Sequence, residues 1–282
     1  VTAPDDASLL DAARAGDAGA LERLLEQHEP RLYRFARRLC RSPADAEDVL
    51  QESLISAARA IETFRGASSL STWLYAIARS HCIKKHRRRR AAPLEVSLEA
   101  EEAAPARDHP DPRPDPEAAL QARRLETALE QAIARLDRPY REVLILRDVE
   151  GLTAPEVSTV TGLSVAAIKS RLHRARSRVR EELAPLLAPR GELAAAASSD
   201  RPCPDVVRLL SRHLEGDISP RTCARMEKHL ANCPRCRVSC DGLRRVLETC
   251  RAAPTPEVPP ALQERVRAAI RQVVEPVAAR SS

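Results

Sequence analysis

The chain has 282 residues, a formal net charge of +6, and 43% hydrophobic residues against only 2% aromatic ones. That length allows about two or three small domains, and the weight of Ala, Leu, Glu and Arg over β-branched runs points to an all-α fold. No apolar run approaches the roughly 18 residues of a membrane span. The opening "VTAPDDASLL" has neither the basic nor the apolar region of a secretory signal, so a cytoplasmic protein is expected. No Ser/His/Asp set, phosphate loop or open-site metal motif indicates an enzyme.

Residues 8–90 read as a run of helices. Leu21, Leu24, Leu25 and His28 share one helical face, and Pro30 is expected to open the next helix, carrying Leu32, Phe35, Ala36 and Leu39. In "SPAD", Ser42 is the expected N-cap and Pro43 the first helical residue. A further helix is expected from about Ser71 to Arg90. Residues 1–90 carry sixteen Lys/Arg against twelve Asp/Glu. Residues 91–118 invert that balance, with two basic and eight acidic residues, and prolines at 105, 110, 112, 114 and 116 make them an extended linker. Helical periodicity resumes at Leu125, Leu129, Ile133 and Leu136. The break "APRGELAAAASSDRP" precedes a cysteine-rich stretch at 201–250, and an amphipathic helix is expected over 261–276, with Leu262, Val266, Ile270 and Val273 on one side.

Residues 153–180 outline a helix-turn-helix. Thr153 and Glu156 form a capping box, and "TGLS" separates a short helix from a longer one. In the longer helix Val165, Ile168, Leu172, Ala175 and Val179 form an apolar stripe, while Lys169, Arg171, Arg174, Arg176, Arg178 and Arg180 project elsewhere. An apolar anchor with cations opposite suits phosphates and base edges; a solvated basic helix is the plain alternative. "KKHRRRR" at 84–90 follows "STWLYAIARS", where Trp73 is either a base-stacking or a core residue.

The cysteine arithmetic is separate. Six of eight cysteines fall between 203 and 250, and Cys203-x25-His229-x3-Cys233-x2-Cys236 suits a tetrahedral, thiolate-rich site. Such a site is structural zinc or something that responds to its occupant. Cys223, Cys240 and Cys250 are further candidate ligands; Cys40 and Cys82 read as core residues.

"ADAEDVLQES", "FRGASSLSTWLYAIARS" and "GLTAPEVSTVTGLSVAAIKSRLHRARSRV" together resemble regions 2 and 4 of an extracytoplasmic-function (ECF) sigma factor. The resemblance implies region 2 over 8–90, the linker over 91–118 and region 4 over 119–187, binding core RNA polymerase (the β′ coiled coil and β flap) and promoter DNA. It places Asp45, Glu47, Asp48, Gln51 and Glu52 on the polymerase-facing helix, and Trp73, Arg79 and Ser80 near the melted −10 strand. Lys169, Ser170, Arg171, Arg174 and Arg176 fall on the −35 recognition helix. Ser80 departs from the Asn of many members, and "APEVST" from their usual "EIA" pattern. By the same analogy the acidic linker threads toward the RNA path.

The cysteine pattern resembles the zinc-binding domain of anti-sigma factors, here on the same chain as in the CorE-type metal-responsive group. That implies metal control without a separate anti-sigma factor. Copper responders of that group carry Cys-x-Cys where this chain has Arg201-Pro202-Cys203, which orders the ions as zinc or cadmium first and copper second. Two alternatives stay open: a sigma factor with a redox-sensing or purely structural zinc domain, and a one-component helix-turn-helix metalloregulator.

Overall fold

The computed structural model describes residues 6–40, 42–91, 116–187 and 203–278, and among them every regular element is helical. The expected linker and the second flexible break lie outside the described residues except at their edges. The chain divides into two compact units, one holding residues 1–102, 159–162 and 254–282, the other 103–158 and 163–253.

The first unit contains α1 (Asp6–Arg14), α2 (Ala18–Leu39), α3 (Pro43–Ala60) and α4 (Leu70–Ala91). Local chemistry starts each long helix. Asp17 Oδ1 accepts from Ala20 N–H at 3.0 Å, and Ser42 Oγ accepts from Asp45 N–H at 3.2 Å with Pro43 opening α3. Ser69 Oγ caps α4 through Thr72 N–H at 3.2 Å. Pro30 does not begin a new helix: α2 runs through it. Its missing N–H forfeits one backbone bond, but fully buried Leu24, Leu25, Leu32 and Phe35 on both sides hold the helix in place. Phe35 meets Tyr75 edge-on at 5.3 Å, joining α2 to α4.

The last helix, here α12 (Pro260–Ala278), belongs to this same unit and packs on α2 and α3. Leu262, Val266 and Ile270 are buried as the periodicity predicts, whereas Val273 is only half-buried. At about 1.5–3 kcal/mol for each fully buried aliphatic side chain, these three contribute roughly 5 kcal/mol to holding α12 there.

Glu29 on α2 is 3% exposed, and its Oε1 finds no hydrogen-bond partner. Burial, reinforced by Glu26, pushes its carboxyl up to about 7, against the pull of Arg267. A carboxyl raised in the folded state favours folding most at low pH and loses that contribution as pH rises through about 7. Glu29→Gln is therefore expected to stabilise the protein by about 1–2 kcal/mol at pH 8 and by little at pH 5. Urea unfolding at the two pH values reads the difference.

The second unit contains α5 (Pro116–Arg135), α6 (Arg138–Leu144), a π-helical turn at Ile145–Val149, α7 (Ala154–Thr161, whose last residues group with the first unit) and α8 (Val165–Leu187). The capping box forms as predicted: Glu156 Oε2 accepts from Thr153 N–H at 2.8 Å and Thr153 Oγ1 accepts from Glu156 N–H at 3.4 Å. Ser164 then caps α8 through Ala167 N–H at 3.2 Å. Ile168, Leu172, Ala175, Val179 and Leu183 are buried, and Val165 is half-buried at the end of the stripe. Three shorter segments complete the unit: α9 (Val206–Leu214), α10 (Pro220–Asn232) and α11 (Pro234–Ala252). Their core joins Val207, Leu210, Met226, Cys240, Leu243 and Leu247, and α9 and α11 both pack against α8.

Candidate metal centre and nucleic-acid interface

Cys203, His229, Cys233 and Cys236 come together with their ligand atoms all within 4.8 Å of one another. Three helix boundaries deliver them. Cys203 precedes α9, His229 lies in the last turn of α10, and Cys233 ends α10 while standing at the N-cap of α11, whose first turn carries Cys236. Pro234 at the first position of α11 needs no N–H there, so the chain turns tightly between two ligands. Cys203 Sγ and Cys233 Sγ are 3.8 Å apart, close to the edge of a tetrahedron with thiolate bonds of about 2.3 Å.

The donor atoms behave as a ligand set. His229 Nε2 is buried and has no hydrogen-bond partner among the described residues, a costly arrangement for a polar atom that a bound cation resolves. The Cys236 backbone N–H at the start of α11 helps pull the Cys233 thiol below its ordinary value. Burial and the neighbouring thiols push Cys236 up to about 12. Three sulfurs held this close favour a soft divalent ion bound in place of the thiol protons. The residues fit zinc, which would tie α9, α10 and α11 into one body, and such sites supply folding free energy of roughly 10 kcal/mol or more.

The further candidate ligands lie elsewhere. Cys240 is fully buried among apolar side chains, where burial raises its thiol to about 11, and Cys250 is 1% exposed. Both are core residues. Cys223 sits 3.5 Å from His213 Nδ1 and 3.6 Å from Glu227 Oε1, outside the four-residue cluster.

Helix α8, expected to be the recognition helix, presents a different correction. Arg176, expected to face DNA, is 2% exposed. Its guanidinium donates to both oxygens of Asp148 at 2.9 and 2.6 Å, to Glu215 Oε1 at 3.0 Å and to Ser211 Oγ at 2.9 Å. Asp148 is supplied by the π-helical turn, Ser211 and Glu215 by α9 and its C-cap; Glu215 also accepts from Arg147 at 3.1 Å. Arg176 is thus a buried bridge between the helix-turn-helix segment and the cysteine-rich segment, and leaves the DNA-facing set.

Its neighbours on α8 lie beside α9 as well. Lys169 approaches Asp217 at 3.7 Å and His173 approaches Asp205 at 3.8 Å. A cleft of about 710 Å³ between α8 and α9 is lined by Lys169, Ser170 and Arg174 on one side and Arg208, Arg212 and Asp217 on the other. Arg171 is half-buried, and Arg174 reaches Tyr140 Oη at 3.3 Å.

In the first unit the acidic residues of α3 divide into two groups. Asp45 is buried and pairs with Lys85 of α4, which also holds Asp48; Glu52 accepts from His81 at 2.9 Å. Asp45 therefore braces α3 against α4 instead of standing on an open face, while Asp48 remains exposed and Gln51 half-buried. Glu47 turns the other way and accepts from Arg265 of α12 at 2.9 Å. Two more pairs line that contact, Arg267–Glu26 at 2.6 Å and Arg271–Glu22 at 3.0 Å. The sequence reading passed over these arginines, although Glu22 and Glu26 on α2 and Arg267 and Arg271 on α12 each stand one turn apart, a complementary pattern. Trp73 is half-buried against Phe64, with ring centres 5.0 Å apart; Arg79 is half-buried and Ser80 exposed.

Among the described residues no helix is long and apolar enough to cross a membrane. Family comparisons match residues 24–92 to sigma-70 region 2, residues 126–179 to sigma-70 region 4, and residues 203–237 to a zinc-finger family. The chain is 32% identical over 193 residues to the RNA polymerase sigma-H factor of Pseudomonas aeruginosa, covering 66% of this chain and 98% of that one. It is 32% identical over 184 residues to the ECF RNA polymerase sigma factor SigE of Mycolicibacterium smegmatis, covering 64% and 68%. Against the ECF sigma factor SigM of Mycobacterium tuberculosis it is 31% identical over 176 residues, covering 62% and 82%. Regions 2 and 4 occur in order, and the zinc-finger match follows them on the same polypeptide. The chain belongs to the ECF RNA polymerase sigma factors, which are transcription initiation factors and not enzymes.

Proposed function

We propose that this sigma factor carries its own inhibitor: α9–α11 cover the −35 recognition helix, α12 covers part of the polymerase-binding surface of region 2, and the metal centre governs the cover on α8. The observation that carries this reading is the engagement of Lys169 by Asp217, just past α9, with Arg176 of the same helix buried against α9 and its C-cap. A lysine paired with Asp217 cannot neutralise a DNA phosphate at the same time. On this reading the chain acts in the cytoplasm, binds core polymerase and the −10 and −35 elements, and needs no separate anti-sigma factor.

Cys203 lies just before the Asp205 N-cap of α9, and the far end of α9 leads to Glu215 and Asp217, which hold α8. A change in ligand arrangement at the metal cluster is therefore transmitted along one short helix to the masked cations. Zinc is better placed as the resident ion than as the inducer, because the Cys203–Cys233 spacing already suits a tetrahedral site. An inducer must bind the covered and uncovered states with different affinity. Cadmium, with a stronger thiolate preference, is the first candidate and copper(I) the second.

Transcription with purified core polymerase and a cognate promoter tests this. The zinc-loaded chain is expected to initiate weakly and to rise at least tenfold with Cd(II), less with Cu(I). Equal output under every metal condition would reduce the cluster to a structural zinc site.

A further inference from the structure

Region 2 contains a second thiol site, remote in sequence from the metal cluster. Cys40 ends α2 and Cys82 lies in the middle of α4, and their Sγ atoms are 3.0 Å apart. That is about 1 Å longer than a disulfide bond of about 2.05 Å. Neither cysteine belongs to the four-ligand cluster, and the two fall in a different compact unit from it. Cys82 is 5% exposed, whereas Cys40 is half-buried and offers the side from which a small oxidant arrives.

We propose that Cys40 and Cys82 form a reversible disulfide, an oxidation site within region 2 that fastens the end of α2 to α4. The elements that hold the sulfurs are already fixed by the Phe35–Tyr75 contact and by the cap of Cys40 N–H on Ala36 O at 2.8 Å, so closing the bond needs no rearrangement of the helices. With hydrogen peroxide as oxidant, the Cys40 sulfur takes one peroxide oxygen and a water leaves, giving a sulfenic acid. The Cys82 sulfur then displaces that oxygen; it departs as a second water carrying the Cys82 thiol proton, and the sulfurs are joined. A thiol reductant reverses the step by exchange. The cross-link closes the loop that contains all of α3, which restricts the unfolded chain and raises stability. It also ties down α4, the helix that bears Trp73.

The test uses the full-length, zinc-loaded chain treated with graded hydrogen peroxide, alkylated and digested with trypsin. Cleavage after Arg38, Arg41, Arg79 and Lys84 places the two cysteines on the peptides 39–41 and 80–84, so their cross-link separates from any product of the C-terminal cysteines. The expected result is a linked 39–41/80–84 pair that dithiothreitol dissolves, with a higher thermal midpoint for the oxidised chain. Cys40→Ser should abolish both. Recovery of both cysteines as alkylated thiols at a peroxide dose that oxidises the metal-site cysteines would overturn the proposal, with no variant required. A linked pair that lowers the thermal midpoint would overturn the fastening role.

Discussion

Glu215→Ala should tighten binding of a −35 duplex by about 100-fold. The Glu215 side chain is 4% exposed and accepts from both Arg147 and Arg176, and removing one partner from a buried, hydrogen-bonded ion network costs about 3–5 kcal/mol. Arg176 keeps its two bonds to Asp148, so the helix-turn-helix itself stays intact and the loss falls on the contact between α8 and the end of α9. Taking about 3 kcal/mol as the share borne by that contact, the covered state weakens by roughly a hundredfold. Fluorescence anisotropy with labelled duplex measures the change. Arg176→Ala should behave differently: it strands Asp148, leaves Glu215 with Arg147 alone, and destabilises the whole second unit. Unchanged DNA affinity in a folded Glu215→Ala chain would mean that α9 does not compete with DNA.

Reversing the charge of Arg265, Arg267 and Arg271 to Glu should strengthen binding to core polymerase by roughly 30–100-fold. Each of the three ion pairs is partly solvated, so each contributes about 0.2–1 kcal/mol, and each reversal adds a repulsion of similar size. The total, about 2–3 kcal/mol, offsets much of the aliphatic burial that holds α12. Glu22, Glu26 and Glu47 then become available together. A single Arg265→Glu exchange should give a small fraction of the effect. Binding measured by competition with a reference sigma factor distinguishes a released surface from a merely unfolded chain, because an unfolded region 2 loses affinity instead of gaining it.

What could be read from the sequence was what is local. Ser42 with Pro43, Thr153 with Glu156, and the four metal ligands are all defined by neighbours within a few residues or by a spacing familiar from zinc chemistry, and each lies where its pattern predicts. Pro30 misled because a single residue cannot reveal how strongly Leu25, Leu32 and Phe35 hold a helix together. The run "VLIL" at 143–146 is buried on every side, so it carries no periodicity, and the π-helical turn that begins within it was not legible. That turn sets Asp148 against Arg176, and Glu215 lies still further along the chain. Arg176 looks like its basic neighbours until those two acids are placed around it. Cys240 and Cys250 failed as ligands for the opposite reason: a cysteine in a core and a cysteine on a metal are the same letter, and burial alone separates them.

The most direct measurement is initiation in vitro by the zinc-loaded parent chain and by a variant combining Glu215→Ala with the three arginine reversals, on one promoter, with core polymerase and no added metal. Self-inhibition predicts near-background output from the parent and output at least tenfold higher from the variant. Equal and robust initiation by both would contradict it, leaving an ECF sigma factor whose C-terminal helices cover nothing that matters to transcription.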